Sequence, residues 1–417
     1  MPALLAPEVI LPVYVVTPFV LMLLSIAIFP LALPHWWEAN RNKLLISGLL
    51  GLPVLLLYLG RRPHALLETA EEYVSFILLL ASLYVISGGI RLTGDLEATP
   101  LTNTAFLAVG ATLASFLGTT GASMLLIRAL LQTNRERTRV RHTVIFFIFL
   151  VSNIGGLLTP LGDPPLFLGY LRGVPFTWTF RLCLPWLVAV GTLLLIYFVW
   201  DSILHPREPI AAIRRDRSQL EPLRMRGTLN LLWLAGIVLA VAFLHQPWRE
   251  LVMTALLGLS LWATPGALRK ANGFTTYPIT EVAVLFLGIF LTMMPALDLL
   301  RTRGGELGVR EPWQFFWASG LLSSFLDNAP TYLTFLALAQ GLRLVDEVVG
   351  VPNAILAGIS VGSVFMGANS YIGNAPNFMV KSIAEEAGVK MPSFFGYMLY
   401  STVILVPLYL AYTWLFF

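Results

Sequence analysis

The sequence predicts an all-α polytopic membrane protein with about 11–12 transmembrane helices. Hydrophobic residues make up 57% of the 417 residues and charged residues only 12%, with a mean hydropathy of +0.77. Soluble domains carry about 25% charged residues, so a water-soluble fold of this size is excluded. Apolar runs of about 20 residues recur along the whole chain, and each is long enough to cross a hydrocarbon core about 30 Å thick.

A basic, polar segment divides these apolar runs into two halves. It covers residues 201–227 and contains six arginines. If this segment is cytoplasmic, most of the 27 lysines and arginines lie on the same side, which agrees with the positive-inside rule. We therefore predict a multi-pass protein of the bacterial inner membrane with a cytoplasmic central loop. The predicted spans are 9–33, 44–60, 73–90, 104–117, 143–171, 183–200, 228–244, 250–266, 279–298, 312–326, 354–384 and 395–414.

Two apolar stretches are too long for one span and too short for two. One runs from Thr104 to Thr133, with the polar patch "GTTGAS" in its middle. As a single helix it would be about 45 Å long. The stretch from Trp313 to Leu342 is similar and contains "DNAPTY". We interpret each as a helix followed by a re-entrant hairpin, near 118–133 and 327–341; a kinked, tilted helix is the alternative.

Two other segments predict broken helices. "SNIGGLLTPLGDPPLFLGY", from Ser152 to Tyr170, places four glycines and three prolines in an apolar run. It predicts a break near 153–165. "GANSYIGNAPNF", which begins at Gly367, predicts a second break near 367–377. Unwound backbone at membrane depth is tolerated only where protein or a water-filled cavity covers it.

These four features form an internal repeat. The two hairpins align at an offset of 209 residues and the two breaks at an offset of 211. Counting spans across the central segment gives the two units opposite orientations. We predict N-terminal scaffold spans in 1–70, a first inverted repeat in 71–200, the loop 201–227 and a second repeat in 228–417. Inverted repeats with broken helices are typical of secondary transporters, whose binding site lies near the midplane.

Two carboxylates lie at these interruptions. Ionisable residues inside the membrane are costly and usually functional, so Asp163 and Asp327 are the candidate sodium ligands. Carboxylate, carbonyl and hydroxyl oxygens suit such a hard cation, and Thr119 and Thr120 add hydroxyls at the first hairpin. A carboxylate that merely caps a half-helix is the alternative. Arg128, in a segment expected to be buried, attracts an anionic substrate or neutralises a carboxylate.

The motifs "SNIGGLLTPLGD" and "DNAP" resemble those of NhaD-type sodium/proton antiporters. These belong to the ion-transporter superfamily, with arsenite permeases, citrate carriers and divalent-anion/sodium symporters. The resemblance implies scaffold and transport domains, a homodimer and an elevator-like cycle without ATP. The symporters' Ser-Asn-Thr tripeptide is missing from the hairpin tips here. Carried over by motif, the implied binding residues are Asn153, Thr159 and Asp163 in the first break, Asp327, Asn328 and Thr331 in the second hairpin, and Asn369, Ser370 and Asn374 in the second break.

The functional hypothesis is a sodium (or lithium)/proton antiporter in which cation and proton compete for buried carboxylates. The alternative is a sodium- or proton-coupled transporter of a small anion such as a di- or tricarboxylate. A channel would leave the inverted repeat unexplained. An enzyme is not predicted, because no paired nucleophile and base appear. The expected partners are membrane lipid, the small ion or anion and a second copy of the chain. Nucleic acid is not expected, and sodium is the expected ion in place of a cofactor.

Overall fold

Helices form most of the chain in the computed structural model, which describes residues 12–417. The first three residues of the predicted span 9–33 lie outside the described residues. The elements of the first half are α1 (Thr17–Ala32), α2 (Pro34–Trp37), α3 (Asn40–Arg61), α4 (Pro63–Ser87), β1 (Arg91–Asp95), α5 (Pro100–Leu117), α6 (Thr119–Thr133), α7 (Arg141–Leu150), α8 (Pro164–Leu171) and α9 (Cys183–Leu204).

The central segment and the second half follow the same plan. Their elements are α10 (Ile210–Ser218), β2 (Glu221–Arg226), α11 (Leu229–Phe243), α12 (Trp248–Ala263), α13 (Gly266–Ala271), α14 (Tyr277–Arg303), α15 (Pro312–Ser323), α16 (Asn328–Gly341), α17 (Asn353–Met366), α18 (Ala375–Glu386) and α19 (Phe394–Phe416). Short 3₁₀ turns add to them at Val13–Val16, Ile154–Leu157, Phe176–Leu182, His205–Arg207, Gly304–Leu307 and Gly367–Asn369.

The predicted all-α membrane fold is confirmed. Within residues 12–417, seven helical stretches are long and apolar enough to cross a membrane without interruption. Of the other predicted spans, 143–171 and 354–384 are divided by a break, whereas α11, α12 and α15 are single shorter helices. The seven stretches are Val13–Pro30, Asn40–Arg61, Pro63–Ser87, Pro100–Leu117, Phe176–Arg207, Tyr277–Leu307 and Phe394–Phe416.

Helix α3 shows how the apolar surface is divided between lipid and protein. Leu49, Leu52 and Leu56 form an exposed stripe at helical spacing, each more than half exposed. The opposite face packs on α14, where the hydroxyl of Ser47 donates to the backbone oxygen of Val284 at 3.0 Å. A helix whose outer face is a leucine stripe is suited to hydrocarbon, whereas its inner face buries polar groups with partners.

Chain interruptions lie at each place where the sequence predicts one. Gly118 separates α5 from α6 with φ +76, a left-handed value that glycine adopts without strain. Residues 151–163 separate α7 from α8. In the second half, residues 324–327 lie between α15 and α16, and residues 367–374 between α17 and α18. Both broken segments contain a 3₁₀ turn.

The same hydrogen bonds recur at the two broken segments. The hydroxyl of Thr159 donates to the backbone oxygen of Ser115, and that of Ser370 donates to the backbone oxygen of Ser324. These residues are related by the offsets of 211 and 209 found in the sequence. Such bonds support the internal repeat, because freed backbone carbonyls in a membrane need a donor. The domain boundaries and the opposite orientation of the halves stay predictions.

The central segment is more ordered than a plain loop. It contains α10 and β2, and β2 pairs with β1 in a two-stranded antiparallel sheet. No strand was predicted, because both strands are short and neither alternates clearly between apolar and polar residues. The sheet links the central segment to the end of α4 and the start of α5.

In each broken segment the backbones of two glycines approach closely, which leads to a prediction about stability. A Cβ at Gly162 would overlap the backbone of Gly156, and one at Gly373 would lie 2.6 Å from the backbone oxygen of Gly367. Backbone atoms cannot move aside cheaply, so we expect Gly162→Ala to destabilise the protein by at least about 1–3 kcal/mol. Gly191→Ala is the control, because a Cβ there meets nothing within 4 Å. Equal apparent melting temperatures in detergent for the two variants would contradict the prediction.

Candidate functional site

The candidate site centres on the carboxylate of Asp163, which is 1% exposed. Each of its partners comes from a different chain interruption. Thr119 donates to Oδ1 at 2.8 Å from the first hairpin, Asn374 to Oδ1 at 3.0 Å from the second break, and Asn328 to Oδ2 at 2.5 Å from the second hairpin. All four interruptions therefore meet at one carboxylate.

The backbone before each second half-helix directs Asp163 and its counterpart Asn374 into the site. Asp163 has extended backbone (φ −145, ψ 144), as expected for the residue before Pro164. Asn374 is extended as well (φ −151, ψ 139), although Ala375 separates it from Pro376. Both side chains are at the N-terminus of a helix, α8 or α18, yet neither forms a capping hydrogen bond. They reach across to other segments instead, so the capping alternative does not describe Asp163.

Asp327, by contrast, makes the contact expected of a helix cap. Its Oδ1 accepts from the backbone N–H of Ala329 at 3.0 Å, at the start of α16, and its side chain is half-buried. The hydroxyl of Thr331 donates to the backbone oxygen of Asp327 at 2.9 Å. Asp327 thus fixes the turn that presents Asn328 to Asp163. Its predicted part in sodium binding stays a prediction.

A second amide cluster lies behind this carboxylate. The Nδ2 group of Asn153 donates to Oδ1 of Asn377 at 2.7 Å, and Nδ2 of Asn377 donates to the backbone oxygens of Gly367 and Ser370 at 2.9 Å. The cluster joins the first broken segment to the second. From the sequence, Asn377 is either a ligand or a helix-packing amide, and it lies three residues after Asn374 on the same face of α18. Its hydrogen bonds place it between the two broken segments, and its role in binding stays a prediction.

Two buried amide oxygens near the site have no hydrogen-bond partner within residues 12–417. They are Oδ1 of Asn153 and Oδ1 of Asn328. The amide nitrogen of each residue is used, the first by Asn377 and the second by Asp163. An unsatisfied buried acceptor costs about 1–3 kcal/mol. Amide and carboxylate oxygens are ligands for hard cations, so this donor set fits a sodium ion as cargo or coupling ion.

The remaining predicted residues mainly bond to backbone or to neighbouring hydroxyls. Thr159 and Ser370 donate to the backbone, as described above. Asn369 donates to the hydroxyl of Ser324 at 2.9 Å. The hydroxyl of Thr120 makes no hydrogen bond with any described residue, although it is adjacent to Thr119. The structure does not bring these side chains to the Asp163 carboxylate, and their roles in binding stay predictions.

A large basic cavity opens on the side of the protein that carries the central segment. Its volume is about 1100 Å³. The last turns of α6 and α18 line it, together with the connection from α6 to α7. Among the described residues around it, Glu386 is the one acid, whereas the cationic residues are Arg91, Arg128, Arg135, Arg137, Arg139, Arg141 and Lys390. Arg135 and Arg137 are paired with acids outside the lining, but the other five cationic residues still leave an excess of positive charge, which concentrates anions.

Arg128 belongs to this cavity and is exposed. The expectation that it lies buried was wrong, because the end of α6 emerges into the cavity, with the Arg128 guanidinium beside Gly273. Arg128 forms no ion pair with a carboxylate among the described residues, and its role in attracting an anion stays a prediction.

Buried ion pairs hold the arginine-rich connection between α6 and α7 in place. Arg137 contacts Asp201 at 2.6 and 2.9 Å, and His142 Nε2 lies 2.8 Å from the same carboxylate. Glu208 accepts from the backbone N–H groups of Thr138 and Arg139 at 2.9 and 3.0 Å. Burial opposes ionisation of Glu208, but the hydrogen bonds from Thr138 and Arg139 outweigh it and hold its pKa below the ordinary value.

Comparison with known proteins identifies transporters. A family model described as "Putative citrate transport" matches residues 8–417. Two similar proteins are "Uncharacterized transporter Mb2703" of Mycobacterium bovis and "Uncharacterized transporter Rv2684" of Mycobacterium tuberculosis. Each is 26% identical over 343 residues, which cover 75% of this chain and 78% of the relative.

The neighbouring threonines of the first hairpin allow a matched test of the site. Thr119→Val keeps the side-chain shape but removes the hydrogen bond to Asp163, so we expect a loss of about 1.5–3 kcal/mol of stability. Thr120→Val is the control, since its hydroxyl has no partner among residues 12–417. Apparent melting temperatures in detergent measure both. A variant at Thr119 as stable as the one at Thr120 would show that the hydrogen bond contributes little.

Proposed function

The chain belongs to the family described as "Putative citrate transport", and from that premise we propose a secondary active transporter whose cargo is a small polycarboxylate anion. Citrate is the first candidate. The observation that carries the proposal is the meeting of all four chain interruptions at Asp163. A transporter family and membrane-spanning helices point to transport rather than to enzymatic chemistry.

The coupling cation is proposed to bind at Asp163. Burying a carboxylate removes the favourable hydration of its negative charge, and hydrogen bonds from three neutral donors replace only part of that free energy. Sodium or a proton supplies the missing positive charge. The free oxygens of Asn153 and Asn328 offer further ligands for sodium, although a proton needs only the carboxylate. The site thus supports coupling to a cation without distinguishing these two.

The basic cavity supports an anionic cargo. Citrate carries up to three negative charges at neutral pH, and a cluster of arginines raises the local concentration of such an ion. Arginine also binds carboxylates with paired N–H groups, which gives specificity as well as attraction. We propose that this cavity is the cytoplasmic entrance, in agreement with the positive-inside rule applied to the central segment.

Alternating access follows from the burial of the site. Asp163, Thr119, Asn328 and Asn374 are each at most 2% exposed, so an ion reaches them only after a conformational change. We propose that the hairpins and broken helices move together as a transport domain against the scaffold spans. This elevator-like movement and a homodimer are proposals that rest on the family resemblance.

A sodium/proton antiporter is the second candidate, and one observation favours it. The carboxylate of Asp163 is enclosed by donors and has no cationic side chain beside it among the described residues, so a sodium ion and a proton would be mutually exclusive occupants. In that case no organic anion is needed for turnover. The arginines of the basic cavity would then contribute only to the electrostatic potential of the surface and would bind no cargo.

Reconstitution into proteoliposomes separates the two candidates. Labelled citrate and a trapped pH dye are followed with and without a sodium gradient, at zero membrane potential. We expect citrate uptake that depends on a sodium or proton gradient. A sodium-driven pH change that needs no citrate, with no citrate uptake, would favour the antiporter and overturn the proposed cargo.

Asp163→Asn is the decisive variant for the cation site. It removes the charge but keeps the size, so we expect transport to fall by on the order of 10²-fold, as for a lost electrostatic contact in a buried site. Glu385→Gln is the control, because that carboxylate is exposed and pairs with Lys381. Wild-type coupled transport by Asp163→Asn would contradict a cation site at this residue.

The basic cavity makes a separate prediction about apparent affinity. Arg139 lines the cavity and its guanidinium forms no ion pair within residues 12–417. We expect Arg139→Gln to raise the KM for citrate by on the order of 2- to 10-fold, with little effect on stability, because it weakens electrostatic attraction. Arg310→Gln, an exposed arginine away from the cavity, is the control. Identical KM values and identical salt dependence for the two variants would contradict the prediction.

A further inference from the structure

Three carboxylates outside the transport site meet at the edge of the two-stranded sheet. They belong to Asp95 at the end of β1, Glu136 in the connection after α6, and Asp216 in α10. One oxygen of each lies within 4.8 Å of the others. Three separate segments of chain thus place like charges together, which costs free energy unless something compensates them.

Asp95 and Asp216 are buried, Glu136 is partly buried, and all three carboxylates are incompletely satisfied. Asp95 is 2% exposed and Asp216 5%, and the side chain of Glu136 is 9% exposed. Asp95 Oδ1, Glu136 Oε2 and Asp216 Oδ1 are buried oxygens with no hydrogen-bond partner among the described residues. Three unpartnered anionic oxygens in one place are unusual, because buried polar atoms nearly always have a partner.

The local structure directs the two aspartates inward. The register of the sheet shifts between Thr93 and Asp95, where Gly94 has φ +127. A bulge of this kind re-aims the following side chain. Asp216 is the buried residue of the otherwise exposed α10, and its Oδ2 accepts from the backbone N–H of Ala98 at 2.9 Å.

Nearby cations compensate only part of the negative charge. Arg135 contacts Asp95 at 3.3 Å and Glu136 at 2.5 Å, but its side chain is 43% exposed. Arg137 is already paired with Asp201, whereas Glu97 and Glu221 add further negative charge from the neighbouring strands and turn. Burial first, and then the charge of Glu136, raise the pKa of both Asp95 and Asp216.

We propose that Asp95, Glu136 and Asp216 bind one hard divalent cation, for which Ca²⁺ is the probe. Calcium takes oxygen ligands at about 2.3–2.6 Å, so oxygens up to about 4.6–5.2 Å apart fit around one ion. The three oxygens lie within 4.8 Å of one another, so one ion of this kind can contact all three. Water and backbone oxygens complete the coordination.

Such an ion would join three segments that are distant in sequence. It would link the sheet and α10 to the connection that carries Arg137 and Arg139 into the basic cavity. The site is separate from Asp163 and does not depend on which cargo the protein moves. Bound cation would make the central segment more resistant to unfolding and to proteolysis.

The test uses purified full-length protein in detergent, stripped of metal with a chelator. Equilibrium dialysis with ⁴⁵Ca²⁺ measures binding, and the apparent melting temperature is measured with and without Ca²⁺. We expect one ion per chain, a higher melting temperature with Ca²⁺, and at least tenfold weaker binding in Asp95→Asn and Asp216→Asn. Glu306→Gln is the control, because that carboxylate is exposed and pairs with Arg303.

Glu136→Gln provides a second route if either aspartate variant fails to fold, since it keeps the side-chain length and lies in a connection. Binding by the wild type that is no stronger than by Glu136→Gln would overturn the site and leave protons and Arg135 as the compensating charges.

Discussion

The interaction on which the rest of the structure depends is the enclosure of the Asp163 carboxylate by donors from three other chain segments. A carboxylate removed from water is strongly destabilising unless hydrogen bonds and charge compensate it. Thr119, Asn328 and Asn374 provide those bonds only if all four interruptions lie at the same depth. Stabilising this one carboxylate therefore requires the helices to break, the breaks to lie at these positions, and the two halves to pack against each other.

Breaking a helix inside a membrane creates unsatisfied backbone groups. The chain satisfies them in the same way in both halves. Hydroxyls of Thr159 and Ser370 bond the freed carbonyls, and glycine pairs let the backbone strands approach closely. The same chemistry appears in both halves, whereas the charge does not. Asp163 is matched by Asn374 and Thr119 by Asn328, so two similar frameworks surround the Asp163 carboxylate. The proposed cation site is therefore asymmetric, because the residue that corresponds to Asp163 in the second half is a neutral amide.

Local sequence patterns predicted the breaks, because glycine, proline and polar residues inside an apolar run interrupt a membrane helix. They also made Asp163 and Thr119 candidates, whereas Asn328 and Asn374 were implied by the family resemblance. Such local patterns do not predict the contacts between segments that are distant in sequence. Thr119 and Thr120 are chemically equal in the sequence, and only the rotation of α6 decides which one reaches the carboxylate. The sheet between β1 and β2, and the acidic cluster beside it, depend on pairing across about 130 residues of chain, for which no local signal exists.

Helices α6 and α18 each begin beside Asp163 and end at the basic cavity. Thr119 starts α6, and Arg128 and Gln132 of the cavity lie about 14 and about 20 Å further along it at 1.5 Å per residue. An α-helix is stiff over this length, so a tilt at its start displaces its far end. Binding of an ion at the buried carboxylate would therefore tilt the two helices as rigid bodies. Their far ends would move, and the width of the proposed anion entrance would change.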